Sequence, residues 1–168
     1  MAGADVHRRP PGLTDERPSG LLLAVLERFH LLGFDVTLLD GGPAASFSVQ
    51  RWDAPPGAGG IPVHLHRRTD EAFYVIDGEI GLWLDDRVEV RPAGSYVRVP
   101  HGRPHSFWNP GERPAAYITV MAPGGFERYL VELAAGLRDV ADEEQAGALR
   151  ARLAAAYDIT VVGPPPRR

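Results

Sequence analysis

Residues 60 to 78 read Gly-Ile-Pro-Val-His-Leu-His-Arg-Arg-Thr-Asp-Glu-Ala-Phe-Tyr-Val-Ile-Asp-Gly, and they constrain the chain more than any other stretch. In a β-strand, side chains two apart share a face. His64 and His66 therefore aim two imidazoles into one space, with Leu65 on the other side. Arg67 to Asp70 read as a polar turn. Glu71 opens the next apolar run, Ala72 to Ile76, so a returning strand can carry its carboxylate back towards the imidazoles. Two nitrogens and an oxygen converging from a rigid sheet suit a transition metal such as Fe, Mn, Ni, Cu or Zn.

A fourth candidate ligand lies in residues 94 to 109, Gly-Ser-Tyr-Val-Arg-Val-Pro-His-Gly-Arg-Pro-His-Ser-Phe-Trp-Asn. Here a short strand, Tyr96 to Val99, meets a Pro/Gly turn, and a second strand begins at His105. The tight turn is expected to fold His105 back beside the first strand. His101 sits in that turn, outside any ligand pattern, and reads as a solvated loop residue near the pocket mouth.

The rest of the chain supports a mainly β domain. Phe34 to Asp40 and Ala45 to Trp52 are strand-like around a Gly41-Gly42-Pro43 turn. Asp77-Gly78 reads as a hairpin turn. Glu79 to Leu84 alternates, Asp85-Asp86 turns, and Arg87 to Val90 pairs back. Ala115 to Met121 is the last clear strand. Short strands at this spacing argue an antiparallel sandwich or barrel. After Pro123-Gly124-Gly125 the period becomes helical, through Phe126, Tyr129, Leu130, Leu133 and Leu137, then Leu149, Leu153 and Tyr157. Two helices are expected, about 126 to 138 and 142 to 157, with Asp139 or Asp142 capping the second. Leu21 to Leu32 reads as a short helix. Residues 1 to 20 hold little apolar material and read as a loose arm.

The two histidine stretches together resemble the cupin superfamily. His64, His66, Glu71 and Gly78 fit its first motif, and the leading glycine falls on Ala58 between Gly57 and Gly59. Gly94, Pro100, Gly102, His105 and Asn109 fit its second at every position. The resemblance implies one cupin jelly-roll β-barrel with short C-terminal helices. The domain would span about 21 to 165, with the barrel at about 34 to 121 and the helices at about 126 to 157. It implies one divalent metal ion (Fe, Mn, Ni, Co, Cu or Zn) held by His64, His66, Glu71 and His105.

Within the cupins the chain looks most like small bacterial quercetinase-like proteins. Asp70 to Gly78, Val99 to Asn109 and Pro123-Gly124-Gly125-Phe126-Glu127 carry that likeness. It implies a dioxygenase cleaving a phenolic, flavonol-like or enolisable substrate with dioxygen, with Glu71 as general base. The alternatives are a non-redox cyclase or isomerase of aromatic polyketide type, and a non-catalytic binding cupin. Strand parity places Phe73 and Val75 inward with Glu71, and Phe107 and Asn109 inward with His105. Phe47, Val49, Trp83, Tyr96 and Ile118 are further candidates for the pocket wall. Such a pocket suits a small, flat, partly apolar ligand with metal-chelating oxygens. Arg51, Arg98 and Arg103 are candidates to meet an anionic group at its rim.

Composition narrows partners and compartment. The formal net charge of −4 argues against nucleic acid. With no cysteine there is no thiolate ligand and no disulfide, which fits a reducing cytoplasm. Leu21 to Leu26 is too short an apolar run to span a membrane. The apolar stripes at Phe126 to Leu137 and Leu21 to Phe29 exceed what one small barrel needs, and a homodimer is expected.

Overall fold

A computed structural model describes residues 27–59 and 61–166. The expected arm at 1 to 20 lies outside the described residues. The chain forms two facing antiparallel sheets followed by two helices. The strands are β1 (Glu27–Leu31), β2 (Phe34–Asp40), β3 (Ser48–Ala54), β4 (Val63–Leu65), β5 (Asp70–Asp77), β6 (Glu79–Leu84), β7 (Arg87–Pro92), β8 (Tyr96–Val99), β9 (His105–Trp108), β10 (Ala115–Ala122) and β11 (Thr160–Gly163). The helices are α1 (Glu127–Leu137) and α2 (Glu143–Ala156). One sheet has six strands in the order β1-β2-β3-β10-β5-β8, and the other has five in the order β11-β4-β9-β6-β7. This is the expected jelly-roll barrel.

Several local readings change in three dimensions. Residues 27 to 31, read as the end of a helix, form the edge strand β1 and pair with β2. Asp77-Gly78 is not a hairpin turn. β5 and β6 lie in different sheets, so Gly78 is a corner where the chain changes sheet. Its φ is +69°, and an added Cβ would come within 2.8 Å of the Pro114 carbonyl oxygen, so only glycine fits. The Pro92–Ser95 turn is the return corner, tied to the first by the Ala93 amide donating to the Gly78 carbonyl at 2.9 Å. β8 and β9 likewise part company. β9 pairs with β4 and β6, not with β8. By contrast, Asp85 and Asp86 (φ 49° and 63°) make the two-residue turn of the β6–β7 hairpin, as read from sequence.

The interior of β3 also inverts the sequence reading. Ser48, Gln50 and Trp52 point inward, and Phe47 is exposed. The inward polar groups satisfy one another. The Trp52 indole N–H donates to Thr119 Oγ1 (3.0 Å), the Thr119 hydroxyl to Gln50 Oε1 (2.6 Å), and the Gln50 amide to Ser48 Oγ (2.8 Å). Hydrogen bonding of this kind makes burial of polar side chains tolerable. Below this ladder Phe34, Trp52, Phe73 and Phe107 pack edge-to-face or tilted at centroid distances of 5.0–5.7 Å, closing one end of the barrel.

At the other end the helices close over. Asp142 caps α2, its carboxylate accepting from the Gln145 amide at 2.9 Å. Tyr129, Leu130 and Leu133 of α1 are buried, so this stripe, which could cover either one end of the barrel or a partner subunit, covers the barrel. Asn109, expected in the pocket, is a latch for the loop that follows β3. Its Nδ2 donates to the carbonyls of Ala54 (3.0 Å), Pro55 (3.1 Å) and Arg113 (2.7 Å), and its Oδ1 accepts from the Gly111 amide (2.9 Å). Asn109→Ala should cost roughly 2–4 kcal/mol, because it removes four hydrogen bonds of one fully buried side chain at once. Urea unfolding measures this, and a loss below about 1 kcal/mol would contradict the latch.

Candidate metal centre

The four candidate ligands come from both sheets. β4 carries His64, and His66 follows just beyond its end. β9 carries His105, directly opposite His64 in register. These three belong to the five-stranded sheet. Glu71 comes from β5 of the six-stranded sheet, in register with Met121 and Val99 on either side. All four side chains are buried, and one donor atom from each lies within 4.8 Å of the others.

Backbone carbonyls orient the imidazoles. The Nδ1 of His64 lies 2.9 Å from the Pro62 carbonyl, that of His66 2.8 Å from the Asp158 carbonyl, and that of His105 2.9 Å from the Arg103 carbonyl. A carbonyl oxygen only accepts, so each Nδ1 carries the proton and each Nε2 faces the centre. Asp158 was not legible as a site residue. Besides its carbonyl, its carboxylate accepts from the amides of Arg67 (3.1 Å) and Arg68 (2.9 Å) and from the Thr69 hydroxyl (2.8 Å). The segment joining α2 to β11 thereby fixes the turn between the histidine pair and Glu71.

Inside the cluster, His105 Nε2 sits 2.8 Å from Glu71 Oε2, and His66 Nε2 lies 3.7 Å from the same oxygen. His66 Nε2 is buried with no hydrogen-bond partner. Burial raises the Glu71 carboxyl, but His105 and His66 outweigh it and hold the group below the usual carboxylate range. Burial, with the charges of His105 and His66, pushes His64 well below the ordinary imidazole value. A neutral imidazole with its lone pair directed inward can ligate a metal, as an imidazolium cannot. An orphaned buried nitrogen, two further nitrogens and one carboxylate fit a first-row divalent ion well. The residues present therefore could hold the metal the sequence implies.

A narrow cavity of about 50 Å³ opens above this cluster. His64, His66 and Glu71 form its floor, and Trp52, Phe107, Met121, Phe126 and residues of α1 form its walls. Phe126 stacks edge-on against His66 at 4.5 Å. Of the pocket residues read from sequence, Phe107 lines the cavity. Phe73 and Val75 point inward but are sealed in the aromatic core beneath it. Val49, Tyr96 and Ile118 lie on the outer face of the six-stranded sheet, with Tyr96 65% exposed. Trp83 is half-buried and faces away from its buried neighbour Leu82. The cause is β3 and β10 parity: Gln50 and Thr119 are paired and inward, so Val49 and Ile118 must face out. His101 is exposed, its Nδ1 2.8 Å from Asp70 Oδ1. Arg51, Arg98 and Arg103 are paired with Asp53, Asp70 and Asp85 and do not line the cavity.

The depressed His64 value has a consequence for stability. The unfolded imidazole protonates near pH ~6.5, whereas the folded one resists. Stability from this group is therefore complete above that pH and falls as acid is added, by up to ~1.4 kcal/mol per pH unit. Metal-free protein should lose stability between pH ~6.5 and ~5, before carboxylates contribute, and His64→Asn should flatten that slope. Urea unfolding across this range measures it; equal slopes for both proteins would contradict a buried neutral His64.

Among the described residues no helix is long and apolar enough to cross a membrane. Residues 50–121 match the Cupin domain family. The chain is 32% identical over 74 residues to the quercetin 2,3-dioxygenase of Bacillus subtilis (strain 168), a match covering 44% of this chain but only 18% of that protein's length. An RmlC-like cupin from Shewanella frigidimarina superposes with a TM-score of 0.53 at 24% identity, over 62% of this chain and 89% of that one. A sugar phosphate isomerase of the cupin superfamily from Silicibacter pomeroyi gives 0.51 at 25% identity, over 58% and 71%. With the histidines of both motifs on one sheet of a jelly-roll barrel and Glu71 facing them from the other, the chain is a small protein of the cupin superfamily.

Proposed function

We propose that this protein is a metal-dependent dioxygenase acting on a small phenolic, flavonol-like or enolisable substrate. The observation that carries the reading is the cluster itself: four buried donors, one of them an unpartnered imidazole nitrogen, of which His64, His66 and Glu71 line the floor of an apolar cavity. The partial likeness to a quercetin dioxygenase supports the choice of chemistry. His64, His66, His105 and Glu71 would hold one first-row ion. When bound, that ion would supply Lewis acidity to a chelating substrate oxygen and, if redox-active, the electron exchange that dioxygen chemistry requires.

The chain's own residues do the rest. Trp52, Phe107 and Phe126 offer aromatic walls that sandwich a flat ring and exclude water. The carbonyls of Pro62, Asp158 and Arg103 keep the imidazoles from turning. Glu71 is ionised at neutral pH and lines the cavity, so it can accept the proton of a substrate enol or phenol at Oε1 or Oε2. A second reading, a non-redox isomerase or cyclase on the same centre, has the likeness to a cupin-superfamily sugar phosphate isomerase in its favour. Oxygen consumption with a turned-over substrate separates the two.

Glu71→Gln keeps the shape and an oxygen donor but removes the base. It should retain much of the metal and substrate binding while losing about 10²- to 10⁴-fold in turnover. His66→Ala should lose metal and activity together, read by elemental analysis beside a rate assay. Wild-type turnover by Glu71→Gln at equal metal content would leave Glu71 a ligand only and favour the non-redox reading.

The homodimer belongs to the same proposal. Its support is the outer face of the six-stranded sheet, where Tyr74, Ile76, Tyr96 and Val120 are each at least 36% exposed. An apolar patch of that kind on a small domain marks an association surface. Light scattering at micromolar concentration should give twice the chain mass; a monomer would remove the idea.

A further inference from the structure

We propose that Arg150 binds a carboxylate on the substrate, at the end remote from the metal cluster. The inference rests on the reading of the cavity as the substrate site and adds a substrate class: aromatic acids whose carboxylate is separated from the chelating oxygens by the ring. Arg150 lies on α2 next to the buried Leu149, and its side chain is only 20% exposed. It lines the same cavity as His64, His66 and Glu71. Among the described lining residues it carries the one guanidinium, while the arginines expected at the rim are paired elsewhere.

The hydrogen bonding of Arg150 is half complete. Nη1 donates to Glu143 Oε1 at 2.6 Å, which anchors one side of the guanidinium. Nε is buried and has no acceptor. Buried donors are nearly always paired, and leaving one unpaired is costly. With Nη1 taken by Glu143, the edge left over is Nε with Nη2. That edge presents two parallel N–H groups and matches the two oxygens of a carboxylate. Apart from the cluster residues the cavity lining is largely hydrocarbon and aromatic, with Leu130 and Leu133 from α1, Ile159 and Val161 among it. A cation and a chelating cluster lining one largely apolar cavity select a molecule with two polar groups on a flat apolar frame. Glu143 is 83% exposed, so solvent screens its charge from an anion held at the Nε edge.

The test uses naphthoate and naphthol, ring systems of one size with and without the carboxylate, titrated into metal-free full-length protein by calorimetry. Wild type should bind naphthoate about ten- to a hundredfold more tightly than naphthol, the range of a charged hydrogen bond. Arg150→Gln should bring naphthoate to the level of naphthol and leave naphthol unchanged. Arg150→Lys keeps the charge without the fork and should restore part of the preference. Equal thermal midpoints would show that all three proteins are folded. No naphthoate preference in wild type, or an undiminished one in Arg150→Gln, overturns the assignment, as does failure of both probes to bind. Catechol titrated into metal-loaded protein reports the metal centre separately, because it chelates without needing Arg150. Catechol binding without a naphthoate preference sinks the Arg150 site alone; an Arg150-dependent naphthoate preference without catechol binding sinks the metal-centre reading and leaves Arg150 standing.

Discussion

Three imidazoles can present lone pairs to one point only if something takes the proton on the far nitrogen of each. Here three backbone carbonyls do so, from Pro62, Arg103 and Asp158. Two of these lie two residues before the histidine they orient, so the strand that carries the ring also fixes its tautomer. The third comes from the far end of the chain. His66 stands just beyond β4, where the ladder no longer holds it, and the segment after α2 replaces that support. The C-terminal helices are thus part of the site as well as its cover. They position the carbonyl of Asp158, and α1 and α2 supply the upper wall of the cavity.

The barrel divides its interior between packing and chemistry along single strands. On β5, Glu71 reaches the cluster while Phe73 and Val75 fill the core below. On β9, His105 and Phe107 do the same. Strand alternation makes this division possible, since every second residue enters the same interior at successive depths. The aromatic plug excludes water from beneath the histidines. A dry floor keeps His64 neutral and leaves His66 Nε2 without a solvent partner. The arrangement keeps donors unsatisfied where a cation would complete them, at a cost in folding stability that the packed core offsets.

How far the site could be read in advance depended on the range of the interactions. The four candidate donors were legible because the His-x-His pair reads as one strand face and because Glu71 and His105 follow at motif spacing. Asp142 as a cap and the two helices were legible because capping and the 3.6-residue period are local. The cavity wall was not. Val49, Ile118 and Tyr96 are apolar and strand-borne, yet they face out. The polar Ser48, Gln50 and Thr119 face in because they hydrogen-bond across β3 and β10. Apolar alternation cannot reveal a buried polar ladder whose members lie 69 residues apart. Arg150 and Asp158 carried no signal, since each acts through partners brought near by the fold.

By itself the sequence determined the donor types, their spacing, the strand and helix periods and the glycine corners, all properties of neighbours along the chain. The glycines at 78 and 94 marked bends, but the sequence did not say that they were passages between sheets rather than hairpins. Only the tertiary structure decided that Glu71 faces the histidines from the opposite sheet, that α1 roofs the cavity, and that the Arg150 guanidinium, paired with Glu143 on one side, lines it. The physical reason is the same in each case. Local geometry is set by dihedral and steric preferences a few residues long, whereas which face is buried is settled by the pairing of distant strands and the need to satisfy every polar group that pairing encloses.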